Sequence, residues 1–262
     1  MAEGARLESV YMATYRGFES LPLCKILLKI SFMRLYLFII TFFTSLSVFA
    51  QNVETDFDAL DSLYREDQFY VNITYNTLQK RPEGLQQNKL SSGFCVGFLR
   101  DMPLNKKRTV SIAAGLGYSL AIYNQNLGIS TIDGTNTYQI LDSDITYSKN
   151  KLSLHYVDLP IEFRWRNSTM DSHKFWRVYV GLKLSYLFYD QYKLDSSATK
   201  INKTNNKDFN DFHYGFYLAT GWNTWNIYGY YGLNPLLNSS AKISGKSIGM
   251  NTINFGLMFY IL

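Results

Sequence analysis

From Val110 to Tyr123 the chain alternates without a break. Val110, Ile112, Ala114, Leu116, Tyr118, Leu120 and Ile122 occupy one set of positions, and Ser111, Ala113, Gly115, Gly117, Ser119 and Ala121 the other. A period of two places these sets on opposite faces of a β-strand. The strand is far longer than the five or six residues usual in soluble sheets. Its large apolar face is opposed by a small or polar one. The pattern recurs at 175–189 and 211–223, and Ile253, Phe255, Leu257, Phe259 and Ile261 carry it to the C-terminus. A chain built this way must cover one face of every strand with apolar solvent and fill a narrow space with the other.

Eight strands are expected, at 68–78, 91–102, 109–123, 151–166, 175–190, 211–223, 225–234 and 250–262. Short connections fall at 103–108, 167–174 and 223–224. Long polar ones fall at 79–90, 124–150, 191–210 and 235–249. Alternation of short and long connections marks an antiparallel up-and-down transmembrane barrel of the outer-membrane type, both termini on the short-turn, periplasmic side. A soluble barrel with an apolar cavity is the rival. The Gly, Ser, Ala and Asn of the second face suit the filled interior of an eight-stranded barrel better than a wetted outer wall. The tryptophans point the same way: Trp165 and Trp176 flank one short turn, Trp222 and Trp225 another. If each hairpin is symmetric about its turn, Trp165 faces Trp176 and Trp222 faces Trp225, an aromatic girdle at one membrane interface.

A leader precedes the barrel. "MRLYLFIITFFTSLSVFAQN" begins at Met33, with Arg34 as a short positive region, an apolar run from Leu35 and small residues at Val48 and Ala50. It reads as a signal peptide at 33–50, cleaved before Gln51. Its apolar run is shorter than the roughly 20 residues of a helical span. Residues 1–32 read as a start-site extension and 51–67 as a periplasmic N-terminal segment ahead of the barrel at 68–262. The 262-residue chain is 47% hydrophobic, with 21 Tyr and 18 Phe, and carries a net charge of +5. Its mean hydropathy of -0.14 excludes a polytopic helical membrane protein. Cleavage leaves Cys95 alone, so neither an internal disulfide nor a cysteine metal site is expected. A chain sent to the outer membrane does not meet nucleic acid, so the basic excess is not read as a nucleic-acid footprint. Lys106, Lys107 and Arg108 form its densest run, either a solvated turn or a docking site on the periplasmic side.

One strand changes phase. Leu152, Leu154 and Tyr156 are apolar at even positions, whereas Val157, Leu159, Ile161, Phe163 and Trp165 are apolar at odd ones. The change at Tyr156-Val157 reads as a bulge beside Pro160. Beyond it Asp158, Glu162 and Arg164 turn inward. The symmetric hairpin sets Asp158 opposite Lys183 and Glu162 opposite Tyr179, with Arg177 close by. Buried charges need partners, so these five form an interior ion network.

The stretch "YVDLPIEFRW" resembles a strand motif of the Bacteroidota outer-membrane barrel family that includes PorT. "EDQFYVNITYN" (66–76), "GFLRDMPLNKKR" (97–108) and "GLGYSLAIYNQN" (115–126) are similar to its PorT/SprT branch in particular. The resemblance implies an outer-membrane component of the type IX secretion system, which exports proteins and supports gliding motility in some members. It implies protein partners in that machinery, beside outer-membrane lipid and lipopolysaccharide, and no catalytic residues. No cofactor, metal or small-molecule substrate is expected.

Two other functions compete. Ser153 and His155 share a strand face near the extracellular end, and His213 begins another strand at that level. A Ser-His pair serves acyl chemistry in lipid-modifying barrels when a carboxylate completes it. Alternatively, the loops at 124–150 and 191–210, rich in Asn, Thr, Ser, Asp and Lys, form a binding or adhesion surface, or are simply solvated. Eight strands enclose too little space for a water channel, which argues against a porin.

Overall fold

The computed structural model describes residues 67–87, 89–105, 107–132, 134–141, 145–167, 176–197 and 199–261. The chain divides into two units, Met1–Leu60 and Asp61–Leu262, and every described residue belongs to the second. The expected start extension and signal peptide, most of the periplasmic segment, and Lys106 lie outside the described residues.

The strands are β1 (Gln68–Gln79), β2 (Ser92–Pro103), β3 (Val110–Asn124), β4 (Leu127–Ile132), β5 (Thr135–Ile140), β6 (Tyr147–Arg166), β7 (Trp176–Ser196), β8 (Lys200–Thr204), β9 (Phe212–Trp222), β10 (Trp225–Gly232), β11 (Lys242–Ile243), β12 (Lys246–Ser247) and β13 (Asn251–Ile261). Eight of them close a ring in the order β6-β3-β2-β1-β13-β10-β9-β7, with β7 pairing back onto β6. All of these pairs are antiparallel. Closure leaves no unpaired edge for lipid to meet. Phe69 pairs with Ile261, so the first and last barrel strands bring their outer ends together at the short-turn end.

All eight expected strands exist, and the alternation places the faces as expected. Leu116, Ile227 and Phe212 are exposed on the wall, while Ser111, Ala113 and Ser119 are buried inside. Trp222 pairs with Trp225 across the two-residue turn, where Asn223 takes a positive φ of 55° that Asn tolerates better than most residues. A second set of outward aromatics, including Tyr75, Tyr186, Phe212, Tyr214 and Tyr231, stands toward the long-loop end. Phe212 and Trp222 are ten residues apart on β9. At about 3.3 Å per residue and a tilt of about 40°, the girdles are about 25 Å apart, the height of a barrel's lipid-facing band. Leu182 faces outward midway between them, so Leu182→Arg is expected to cost about 2–4 kcal/mol. Heat-modifiable gel mobility after refolding checks this, and a variant that refolds like the wild type would mean the wall is assigned to the wrong face.

Three expectations need correction. Trp165 pairs with Val178, not Trp176, because the β6–β7 hairpin closes through Arg166 and Arg177. Trp176 instead pairs with Trp222 on β9, their rings edge-on at 5.7 Å between centroids. The same two-residue offset sets Asp158 opposite Ser185 and Glu162 opposite Gly181. Finally, β6 does not change face: Leu152, Leu154, Tyr156 and Asp158 are all buried inside. The bulge is on the partner strand, where Phe188 is extra between Leu187, which pairs with Tyr156, and Tyr189, which pairs with His155. What changes at Tyr156 is the chemistry of the interior, apolar toward the long loops and charged toward the short turns.

The long connections are also more ordered than a solvated reading allows. β4 and β5 form a hairpin, β8 pairs with the end of β7, and β11 pairs with β12. Leu85, Leu127, Ile129, Tyr138, Phe209, Leu236, Leu237 and Ile248, drawn from four loops, are buried in one apolar cluster with Tyr123, Leu152 and Leu154 of the wall. They seal the long-loop mouth.

Candidate functional site

Buried charged groups converge in the barrel lumen, and they are layered. Alternation along β6 turns Asp158, Glu162, Arg164 and Arg166 inward in succession. Arg164 and Arg166 are fully buried. Arg164 Nε donates to Glu162 Oε2 at 2.7 Å and its Nη1 to Asp101 Oδ1 at 3.0 Å. Arg166 Nη2 donates to Asp101 Oδ2 at 2.9 Å, and its Nε to the Arg108 carbonyl at 2.9 Å. Ser111 donates a further bond to Asp101 at 2.7 Å. Two tyrosine hydroxyls, from Tyr217 at 2.8 Å and Tyr260 at 3.1 Å, complete the shell of Glu162. Gly181 makes room for this: a side chain there would collide with the Tyr217 ring that lies across it. Arg164 and Arg177 also sit against the faces of Tyr179 and Tyr260. Charge-assisted bonds of this kind offset the cost of keeping ions from water.

One layer up, Lys183 Nζ reaches Asp158 Oδ2 at 3.5 Å and lies over the Tyr230 ring. The offset register leaves the pair diagonal, and the length of the lysine spans the gap. Ser185 donates to the other oxygen of Asp158 at 2.6 Å. Above this pair lies a polar cavity of about 50 Å³. Asn72, Asn76, His213 and Asn254 line it, and each presents a polar atom with no hydrogen-bond partner among the described residues. The space and the polarity suit about three water molecules. The apolar loop cluster closes the top.

All five charges read from the sequence are therefore interior. The reading missed Asp101, Arg166, Tyr217 and Tyr260. The first two were legible by extending the alternation, from Leu99 to Asp101 and from Arg164 to Arg166. The tyrosines were not, because strand register decides which of many inward phenols meets Glu162. The basic turn divides: Lys107 is exposed, but Arg108 is buried at 7% exposure, has a positive φ of 56° and lends its carbonyl to Arg166. Arg108 belongs to the lumen floor and is not a free docking charge.

Nor do Ser153, His155 and His213 form one site. His155 lies on the outer side of β6, where Tyr118 Oη and His155 Nδ1 are 2.7 Å apart and Tyr189 stacks edge-on. His213 is inside the barrel, edge-on to Tyr156 at 5.3 Å between centroids. The wall separates them.

A closed ring of eight antiparallel strands with a lipid-height apolar band, two aromatic girdles and a polar filled lumen defines an outer-membrane β-barrel. The chain belongs to the outer membrane protein beta-barrel domain family, whose profile matches residues 49–238. Its seat is the outer membrane. Among solved structures it is similar to Ail, the attachment invasion locus protein of Yersinia pestis, described in complex with the heparin analogue sucrose octasulfate: 12% identity over 75% of this chain and 99% of that one, TM-score 0.36. A mutant porin of Rhodopseudomonas blastica aligns at 10% identity over 76% of this chain and 100% of that one, TM-score 0.19. No curated protein matches the sequence.

Proposed function

We propose that this barrel is a noncatalytic component of the type IX protein export machinery, with its long loops outside the cell and both ends of the barrel chain on the periplasmic side. The observation that carries the reading is the filled and sealed lumen. Ion network, small cavity and apolar seal succeed one another along the axis, so a contribution to export must come from surfaces that touch other subunits. The segments that resemble the PorT/SprT branch support it. Their described parts fall on β1, β2 and β3, and the stretch at 156–165 that resembles the wider family falls on β6; the four strands are consecutive neighbours and make one half of the wall. On the short-turn side Lys107 is exposed and is available to an acidic partner.

Deletion of the gene followed by analysis of the secreted protein set tests the proposal. Loss of export, restored by the wild type and equally by Ser153→Ala and His155→Ala, is the expected result. Normal export with an altered lipid A mass would replace the reading with an enzymatic one. A loop-based binding barrel is the second reading, favoured by a cleft of about 640 Å³ at the loop end, where Ile140 and Ile243 lie beside Lys80, Arg81, Glu83 and Lys246. That volume suits a small ligand. Normal export together with lost surface binding after deletion would favour it.

A further inference from the structure

β6 and β7 are the longest strands and rise past their neighbours. β9 begins at Phe212, opposite Tyr186, while β7 continues to Ser196 and pairs with β8. On the outward face of this overhang Lys151 stands directly opposite Lys193. Like charges placed opposite each other across a ladder destabilise it. Lys149 is next on the same face of β6, opposite Asp195, and the Asp195 carboxylate is itself engaged by Lys200 at 3.8 Å. Lys89, held by a bond from its Nζ to the Ser148 carbonyl at 2.9 Å, adds a further cation. Among the described residues, these five lysines thus share this end of the wall with one carboxylate, Asp195.

Height fixes what these lysines meet. Below them His155, Tyr118, Phe188 and Tyr189 form an outward aromatic cluster at the top of the apolar band. Lys151 and Lys193 lie four residues beyond the His155–Tyr189 pair. Four residues at the tilt of the wall is about 10 Å, which is headgroup depth rather than hydrocarbon or bulk solvent. Lysine stems lie along apolar surface and hold their ammonium groups at such a boundary. We infer that the outward face of this overhang seats the phosphate groups of a phosphorylated glycolipid in the outer leaflet. The inference rests on the reading that the long loops face outward.

The test uses the protein purified from outer membranes. It is titrated in detergent with bisphosphorylated lipid A, dephosphorylated lipid A and inorganic phosphate, and bound lipid is counted by mass spectrometry. The wild type is expected to bind the bisphosphorylated lipid about a hundred-fold more tightly than Lys149→Gln/Lys151→Gln/Lys193→Gln, at about 1 kcal/mol for each lysine near an anionic surface. The dephosphorylated lipid should not distinguish the two proteins, and Lys107→Gln, at the other end, should match the wild type. Equal affinity of the triple variant and the wild type would overturn the inference, as would inorganic phosphate binding as tightly as the lipid. Orientation is read separately, by labelling Ser247→Cys in intact cells with an impermeant maleimide. Labelling only after permeabilisation would overturn the loop-outside reading, while the titration reports on the lysines alone.

Discussion

Arg164→Met is expected to lower the unfolding free energy of the barrel by about 3–5 kcal/mol, the cost of breaking a buried ion pair from one side. Met keeps most of the stem volume, so the loss is chiefly electrostatic. Glu162 would keep its two tyrosine hydroxyls and Asp101 would keep Arg166 and Ser111, yet both would lose their shared cation. Neutralising Glu162 as well, with Glu162→Gln, should recover part of the deficit, because the orphaned charge is then removed. Equilibrium unfolding in urea from lipid vesicles, followed by tryptophan fluorescence, measures both variants. A loss under about 1 kcal/mol for Arg164→Met would mean that the network does not hold the lumen together.

Ile129→Asp should open the loop end without unfolding the barrel. Ile129 is 1% exposed in the apolar cluster. Removing it forfeits about 2–5 kcal/mol of packing and transfer free energy, and the aspartate adds an unpaired charge. The β4–β5 hairpin is held by its own short ladder, by this cluster and by side-chain bonds such as Tyr138 Oη to Asp208 Oδ2 at 2.7 Å and Asn150 Nδ2 to the Leu127 carbonyl at 3.1 Å, and an isolated two-stranded hairpin is marginal in water. The expected outcome is rapid cleavage by thermolysin, which cuts at apolar residues, within 127–141 and by trypsin at Lys200 or Lys203, with heat-modifiable mobility of the remaining barrel retained. Protease resistance equal to the wild type would show that the seal does not depend on this packing. Loss of the folded band would show that loops and wall unfold as one unit.

The wall was legible in the sequence because lipid imposes one rule on every strand: large apolar residues outward, small or polar ones inward. Val110 to Ile122 and β9 follow that rule almost throughout, Ala114 and Thr220 on their outward faces being the departures. Legibility ended where the rule changes. Above the bilayer an apolar residue points inward, under the loops, so Leu152 and Leu154 looked like a change of face when only the surroundings had changed. The seal itself is written in short fragments, such as Leu127 and Ile129 or Leu236 and Leu237, among polar residues that dominate the composition of the loops. Their periodicity is too brief to announce a core. The pairing of Trp165 with Val178 was out of reach because hairpin symmetry says nothing about a turn as long as 167–175. A two-residue offset preserves every face while changing every partner.

Glu162 is bound from two directions that become available at different stages of assembly. Arg164 is its neighbour on β6, and Asp101 and Arg166 come from strands joined by nearby ladders, β2, β3 and β6. Tyr217 and Tyr260 arrive from β9 and β13, 55 and 98 residues along the chain. Contacts between distant parts of a chain form late, since the intervening segment must first be ordered. The cationic half of the shell can therefore gather on an open sheet. Tyr217 can follow once β9 pairs with β7, but Tyr260 attaches only when β13 arrives and the ring shuts. In temporal terms Glu162 acts as a latch: it waits, already neutralised, in the half made first, and the last strand to arrive fastens onto it.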